Sequence, residues 1–328
     1  MDQLRLMLYG RGGYGHDPMG LEADVAALSA RNLREAHAQL GGDRAVLALA
    51  GEWPETLEDS LARLFGGWSV GSPGAGPPRH RGSEVVDHGA AEAIAGTGPP
   101  LQTASLSYGQ AATEQVVLMM GVVALPLGHP DMPALRLLQC HLGVGMSARL
   151  FTTLREARGL AYDVGVYFPS RLAGAPFSCH MSSGTERAGE AVSALWEEWQ
   201  RLLDQPLTGK ELGLAKAKLA GQEAMGQMTT AQVSDRIALL AGHGLSHRYP
   251  EQTLDTVERL TGEDCLAAAR RHLSDPRLAA VGPGTAERSV RQHWNRDRSA
   301  MDTGVARPAA TAPAQQGSAG GPGTTSLC

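Results

Sequence analysis

The sequence predicts an α+β protein in which helices alternate with short buried strands. Apolar runs too short for a core helix, of which residues 115–125 are the richest in Val, Leu and Met, indicate the strands. Apolar residues at helical spacing, as in residues 20–37, indicate the helices. Capping boxes that begin at Thr208, Thr229 and Thr261 mark three helix starts, because each hydroxyl can accept from a free backbone N–H.

The same criteria place each element in chain order. A helix is predicted over residues 20–37, then a strand over the apolar run 45–50, which ends at Gly51. The remaining predicted strands are 115–125, 175–183 and 278–282, and the remaining predicted helices outside the capping boxes are 54–65, 132–142, 148–158, 186–203 and 286–294.

The 41 glycines and 19 prolines are unevenly spread and divide the chain. A Gly- and Pro-rich cluster begins at Gly66, and residues 69–102 are predicted as an interdomain linker. Residues 298–328, rich in Ala, Pro, Gly and Thr from Thr303 onward, are predicted as a disordered tail.

A weak internal repeat relates the two ends of the chain. The helix that begins near Leu28, with its following strand and helix, is mirrored from Leu260, an offset of 232 residues (260 − 28). On this basis residues 103–297 are a complete domain and residues 1–68 are the C-terminal remnant of a related one. Chance similarity of two capped helices before short strands is the alternative.

Charge and cysteine content exclude several classes of protein. Lys and Arg number 29 against 34 Asp and Glu, a net charge of −5, and no basic run is present, so a nucleic-acid partner is not expected. The longest apolar stretch, 116–127, is too short to span a membrane. The 4 cysteines lie far apart, as expected for reduced thiols in a cytoplasmic protein rather than a zinc cage.

The densest group of informative residues lies between 142 and 164. Gly143 and Gly145 permit a tight turn, Ser147 can cap the next helix and Gly159 can end it. This helix and the residues just after it carry arginine and tyrosine side chains, whose hydrogen-bond donors suit carbonyl or carboxylate oxygens. They are Arg149, Arg155, Arg158 and Tyr162.

These residues resemble the second domain of the insulinase/pitrilysin family of zinc metallopeptidases. Family members carry a glycine-rich turn, Ser-Ser-Arg-Leu-Phe and then Arg-Glu-x-x-Gly-Leu-x-Tyr; this chain reads Ser-Ala-Arg-Leu-Phe at 147–151 and Arg-Glu-Ala-Arg-Gly-Leu-Ala-Tyr at 155–162. Weaker likeness extends from about residue 8 to residue 294. The departures are Val144 for a usual glycine and Ala148 for the usual second serine.

The resemblance implies a two-layer sandwich, with a mainly antiparallel sheet and helices packed on one face. In such enzymes two homologous domains enclose a chamber; the first holds zinc through His-x-x-Glu-His and a distant glutamate. By resemblance, Arg155 binds the substrate backbone, Tyr162 stabilises the oxyanion, and Gly143 and Gly145 form a turn beside the chamber. Without the resemblance, an ion pair with a neighbouring carboxylate is the simpler interpretation of Arg155.

Other polar residues are interpreted structurally. Arg149 and Arg158 are expected to be surface or interdomain charges, and His129 and Asp131 to cap the helix that follows them. His243 and His247 lie four apart, but Gly244 and the absence of a glutamate favour a solvated helix end over a metal pair. None of the 11 histidines forms His-x-x-Glu-His, so no metal ligands are predicted in this chain.

The sequence therefore predicts the substrate-binding second domain of an insulinase-like zinc metalloendopeptidase, inactive on its own. Peptides or unfolded polypeptides are the expected substrates, and zinc is expected on residues that this chain lacks. Either a separate zinc-bearing homologous chain completes the site, or the gene model is truncated upstream of Met1. The alternative function is a non-catalytic scaffold or regulatory subunit, and a third possibility is an unrelated α/β protein.

Overall fold

Residues 1–10, 13–38, 40, 45–67 and 104–302 are described by a computed structural model of the chain. The predicted linker (69–102) and the predicted tail from residue 303 onward lie outside the described residues. The strands are β1 Leu106–Gln110, β2 Gln115–Val123, β3 Asp163–Tyr167, β4 Pro176–Gly184 and β5 Arg277–Gly282. The α-helices are α1 Asp2–Tyr9, α2 Glu22–Ala26, α3 Ala30–Ala38, α4 Leu57–Phe65, α5 Met132–Gly143, α6 Ala188–Asp204, α7 Gly209–Met225, α8 Thr230–Gly242, α9 Tyr249–Arg259, α10 Gly262–His272 and α11 Gly284–Asp302.

The strands form one sheet in the order β1-β5-β2-β4-β3. β1 and β5 are parallel, and the pairs β5–β2, β2–β4 and β4–β3 are antiparallel. In the central strand β2, successive side chains point to opposite faces of the sheet: Val116, Leu118 and Met120 enter the main core, while Val117 faces out. The α+β fold class and the mainly antiparallel sheet predicted from the sequence are confirmed.

The main helical layer covers one face of this sheet. Its centre is α6, where Trp199 packs edge-on against Phe177 of β4 with ring centroids 6.0 Å apart. Trp196 of the same helix packs at 5.2 Å against Trp294 of α11. These fully or nearly buried aromatic rings make α6 the element that joins the sheet to the rest of the helical layer.

Helices α7, α8 and α10 begin where the sequence predicts. Thr208, Thr229 and Thr261 each accept a hydrogen bond from the backbone N–H three residues on, and the side chain at that position accepts one from the threonine's own backbone N–H. All three capping boxes are therefore confirmed. Helix α11 runs to Asp302, so residues 298–302 are helical rather than part of the predicted tail; Arg298 extends the packing by donating to the Pro276 carbonyl.

The opposite face of the sheet carries the N-terminal helix α1. Leu4 and Met7 are buried against Met119 of β2 and Ala279 of β5. Arg277 donates a hydrogen bond to the Met7 carbonyl at 3.0 Å. The sequence predicts helices on one face of the sheet only. In the structure, α1 from the predicted remnant 1–68 also covers the other face.

Residues 13–67 differ most from expectation. The helix predicted over 20–37 is two short helices, α2 and α3, and the run predicted as a strand at 45–50 has no regular structure. The strand prediction is wrong for this structure because a strand needs a neighbour to pair its backbone groups, and none of the described strands lies beside 45–50. Within the described ranges, none of the helices has both the length and the apolar character that crossing a lipid bilayer requires.

Candidate functional site

The candidate site begins at the turn after α5, which the two predicted glycines make possible. Gly143 ends α5 against β3, and a Cβ added there would lie 2.6 Å from the Val166 backbone nitrogen. Gly145 has φ of +75°, a conformation that side chains disfavour. The first glycine therefore serves close packing and the second serves the turn itself.

The turn leads into a π-helix over Phe151–Ala157, within the segment predicted as an ordinary helix. The Arg158 N–H donates to the Thr153 carbonyl at 3.2 Å, a five-residue spacing, and the Leu160 N–H donates to the Leu154 carbonyl at 2.8 Å. Gly159 ends the segment with φ of +57°, as the sequence predicts. A π-helix of this length is rare and frequently accompanies a functional site.

Arg155 lies on the exposed side of the π-helix. Its guanidinium carbon sits 4.9 Å from the centre of the Phe151 ring, a cation–π arrangement within its own turn. In the described part of the chain it forms no ion pair with a carboxylate, so the simpler interpretation of this arginine is not supported.

Tyr162 lies on the other side of the turn that follows the π-helix, and 64% of its surface is exposed. Its backbone N–H donates to the Ser182 carbonyl of β4 at 3.0 Å, which fixes the start of β3. Among the described residues its hydroxyl has no hydrogen-bond partner. The next residue, Asp163, lies 3.5 Å from the imidazole of His180, whose pKa is lowered by burial.

Of the other two arginines of this segment, Arg149 is not the surface charge that the sequence suggests, whereas Arg158 keeps a third of its side chain exposed. Arg149 is buried, with its Nε 2.8 Å from the Glu198 carboxylate and an Nη2 hydrogen bond to the Glu198 carbonyl at 2.8 Å. Arg158 is half-buried and pairs with Glu197 at 2.8 Å. The prediction for Arg149 is wrong because only the tertiary packing places a counter-charge beneath the helix.

Comparison with known proteins identifies the family to which this arrangement belongs. Residues 27–219 match the family described as the peptidase M16 inactive domain, which is more than half of the chain. The chain belongs to this family. The resemblance read from residues 147–162 is thereby confirmed.

Relatives of this M16 chain carry zinc-protease names. An uncharacterized zinc protease of Mycobacterium tuberculosis is 30% identical over 198 residues, covering 60% of this chain and 45% of the relative. The uncharacterized zinc protease YmxG of Bacillus subtilis is 24% identical over 86% of this chain and 64% of the relative. The chain thus spans about half to two thirds of the length of these curated relatives.

Solved structures agree on the fold. A peptidase M16 inactive domain from Pseudomonas fluorescens superposes with a TM-score of 0.69 at 22% identity, covering 86% of this chain and 64% of that one. A protease from Helicobacter pylori gives a TM-score of 0.62 at 14% identity, covering 82% and 62%. At these identities the likeness concerns the fold alone.

A possible metal-binding group lies away from Arg155 in this M16 chain. Among the described residues, His129, Asp131 and His272 bring potential ligand atoms within 4.8 Å of one another. However, one oxygen of Asp131 already accepts from His272 at 2.7 Å and from Arg271 at 3.0 and 3.1 Å, which lowers the Asp131 pKa. In this structure these contacts tie α10 to the start of α5.

The expected capping role of these two residues is only partly found. His129 does accept from the Asp131 N–H at 3.0 Å just before α5, whereas the Asp131 carboxylate makes no capping bond and turns to α10 instead. The histidine pair is a helix end, as expected, because α8 stops at Gly242 and His243 Nδ1 donates to the Leu239 carbonyl at 2.8 Å. His243 and His247 therefore do not share a helix face.

A cavity of about 310 Å³ lies between α1 and the β3–β4 connection. Its walls are mainly apolar, and its two central phenols are already used: Tyr9 donates to the Gly174 carbonyl at 2.8 Å and Tyr14 accepts from the Ala173 N–H at 3.3 Å. Arg171 lies 4.5 Å from the centre of the Tyr14 ring. This cavity is a junction between the N-terminal segment and the sheet, and His16, Arg5 and Arg171 are among the residues that line it.

The sequence predicts Arg155 and Tyr162 as site residues, but it did not predict their surroundings. The π-helix carries no local signal that separates it from an α-helix, and Glu197 and Glu198 look like two ordinary charges of an amphipathic helix. The sequence offers one signal that Glu198 is buried: next to Glu197 on α6, it falls between the apolar residues that face the core.

Proposed function

We propose that this chain is the substrate-binding, non-zinc half of an M16 zinc metalloendopeptidase and is inactive by itself. The observation that carries the proposal is the exposed pair Arg155 and Tyr162, whose donor groups the described part of the chain does not use. Residues 1–68 are then the remnant of the zinc-type domain, and residues 103–297 the complete second domain, with a linker at 69–102.

The chemistry of the two side chains suits peptide-bond hydrolysis. A guanidinium can bind the carbonyl oxygens of an extended peptide, and a phenol can donate to an oxygen that gains negative charge. Zinc supplies an activated water in such enzymes. Because these 328 residues contain no His-x-x-Glu-His, we assign that water to a zinc-bearing M16 domain outside them, of which a separate M16 chain is the form that reconstitution can test.

The proposal also includes a compartment and a substrate class. Cys140, Cys179 and Cys265 are buried free thiols, which supports a reducing compartment such as the cytoplasm. Peptides or unfolded polypeptides are the substrates, since Arg155 and Tyr162 address backbone rather than side-chain groups.

Reconstitution tests the proposal. We expect the purified chain to be inactive on a quenched fluorescent peptide with zinc present, and active when a zinc-bearing M16 chain from the same genome is added. Tyr162→Phe should then lower kcat by about 100-fold, the loss found when one oxyanion donor is removed, and Arg155→Ala should raise KM. Arg259→Ala, another exposed arginine, is the control.

Two outcomes would contradict the proposal. Zinc-dependent cleavage by the chain alone would show that it carries its own metal site. Full activity of the reconstituted pair with both Arg155→Ala and Tyr162→Phe would favour the alternative function, a non-catalytic scaffold or regulatory subunit, which the missing zinc motif makes the second candidate.

A further inference from the structure

Two adjacent glutamates of α6 contact opposite ends of the segment that bears Arg155. Glu198 meets Arg149, which precedes the π-helix, and Glu197 meets Arg158, which follows it. Arg155 therefore lies between two ion pairs that both lead to the same helix.

The pair at the N-terminal end is buried. Arg149 and Glu198 have side-chain exposures of 8% and 7%, and their charged atoms lie 2.8 Å apart without the alignment of a linear hydrogen bond. Arg149 Nη2 also donates to the Glu198 carbonyl. The Thr153 hydroxyl donates to the Arg149 carbonyl at 2.7 Å, which links this anchor to the π-helix itself.

The pair at the C-terminal end is half-buried. Arg158 Nη2 lies 2.8 Å from Glu197 Oε2, with side-chain exposures of 33% and 37%. Arg187, just before α6, donates to the carbonyls of Arg158 and Gly159 at 3.2 and 3.1 Å. Contacts from α6 and from Arg187, just before it, therefore hold the turn that leads to Tyr162.

Helix α6 can act as a fixed reference for this segment. The helix makes aromatic contacts with β4 and α11, and the indole of its Trp199 donates a hydrogen bond to the Leu273 carbonyl at 3.0 Å. By contrast, a π-helix has less favourable backbone geometry than an α-helix and persists only where its surroundings impose it. The register of Arg155 therefore depends on contacts made outside its own helix.

We propose that Glu197 is a positioning residue for Arg155, acting through Arg158, with the buried Arg149–Glu198 pair fixing the other end. The inference rests on the proposed role of Arg155 in binding the peptide backbone. Loss of the Glu197 charge releases the end of the π-helix nearest to Arg155 and lets its guanidinium leave the peptide-binding register.

The test uses the full chain and a fluorescein-labelled unstructured peptide. Glu197→Gln should raise hydrogen–deuterium exchange in residues 155–160 and weaken peptide binding, each by about three-fold, as expected for a half-exposed ion pair. Both effects should fade in high salt. Glu251→Gln, which removes an exposed ion pair with Arg248 on α9, is the matched control. Glu198→Gln is less useful, because it strands a buried guanidinium and threatens the whole domain.

A double-mutant cycle separates positioning from general stability. In an Arg155→Ala background, Glu197→Gln should have no further effect on peptide affinity, although local exchange still rises. Two outcomes would overturn the inference, provided that Arg155→Ala alone still weakens binding. One is that the affinity losses of Glu197→Gln and Arg155→Ala add up in the double variant, and the other is that Glu197→Gln changes neither exchange nor affinity. If Arg155→Ala binds the peptide as the wild type does, the proposed function itself fails.

Discussion

At the scale of single residues, burial separates the charged groups that pack into the fold from those that are exposed and that the proposed function assigns to binding. Arg155 and Tyr162 are exposed and free of side-chain hydrogen bonds in the described part of the chain, whereas Arg149 is buried against Glu198. Removing one partner of a buried ion pair leaves an uncompensated charge, which is strongly destabilising. The three arginines of one short segment therefore have different tasks.

His141 gives a prediction about pH at this scale. The side chain is 7% exposed near the end of α5, and burial, reinforced by Arg149, lowers its pKa to about 4. The unfolded chain, with a histidine pKa of about 6.5, then binds one more proton between pH 6.5 and pH 4. The contribution of neutral His141 to stability is therefore complete above pH 6.5 and is lost as the pH falls toward 4.

We expect His141→Leu to flatten this dependence. Between pH 7 and pH 4.5 the wild type should lose about 2 kcal/mol more of its unfolding free energy than the variant does, measured by urea unfolding at both pH values. His247→Leu, at an exposed histidine, should leave the wild-type slope unchanged. Equal slopes for wild type and His141→Leu would show that this imidazole is not held neutral by the fold.

At the scale of elements, the turn between α5 and the π-helix is the point where sequence and geometry agree most closely. Its two glycines serve different purposes, since a side chain at Gly143 would collide with β3 while a side chain at Gly145 would have open space but an unfavourable φ. The turn places the π-helix beside β3, and hence Arg155 and Tyr162 on two sides of one bend.

Alanine substitutions distinguish the two glycines. Gly143→Ala should destabilise the domain by about 1–3 kcal/mol, because the new methyl group overpacks against Val166. Gly145→Ala should lose about 1 kcal/mol through backbone strain alone. Gly213→Ala, inside α7 with open space around it, should instead stabilise by about 0.5–1 kcal/mol. Denaturant unfolding of the three variants is the measurement, and equal effects at 143 and 213 would contradict the packing argument.

At the scale of the whole molecule, the described residues between 13 and 67 are less buried than the packed unit 104–302, although Tyr14 contacts Arg171 and Ala173. They expose a concentration of large apolar side chains and bury few. The exposed ones are Met19, Leu21, Val25, Leu28, Leu33, Leu40, Val46, Leu47, Leu49, Trp53, Leu64 and Phe65. A surface of this kind usually meets another polypeptide, which agrees with the proposed zinc-bearing M16 partner.

Charge introduced into this surface should weaken the proposed association. Leu47 and Leu49 are 58% and 43% exposed, so the double change Leu47→Glu/Leu49→Glu should alter stability of the isolated chain by less than about 0.5 kcal/mol. Binding to the zinc-bearing chain, measured by titration calorimetry, should weaken at least about ten-fold because the carboxylates lose water on burial. Leu239→Glu, at an equally exposed leucine of α8, is the control, and unchanged binding by the double variant would place the partner elsewhere.

Prediction from sequence succeeded where the signal is local. The capping threonines, the apolar run of β2 and the left-handed Gly159 depend on residues close together in the chain, and the structure contains all of them. The strand expected at 45–50 failed because a strand is defined by partners distant in sequence.

The sequence by itself predicted three of the five strands and six of the seven α-helices described in residues 104–302, the family, and the two exposed residues on which the proposed function rests, because periodicity, caps and motifs are written in neighbouring residues. Only the tertiary structure decided that Arg149 is buried, that Arg155 sits on a π-helix between two ion pairs, and that α1 covers the far face of the sheet. The reason is physical: burial and ion pairing join residues that the chain separates widely, as Arg149 and Glu198 are, and no local pattern encodes which of many carboxylates will meet a given arginine.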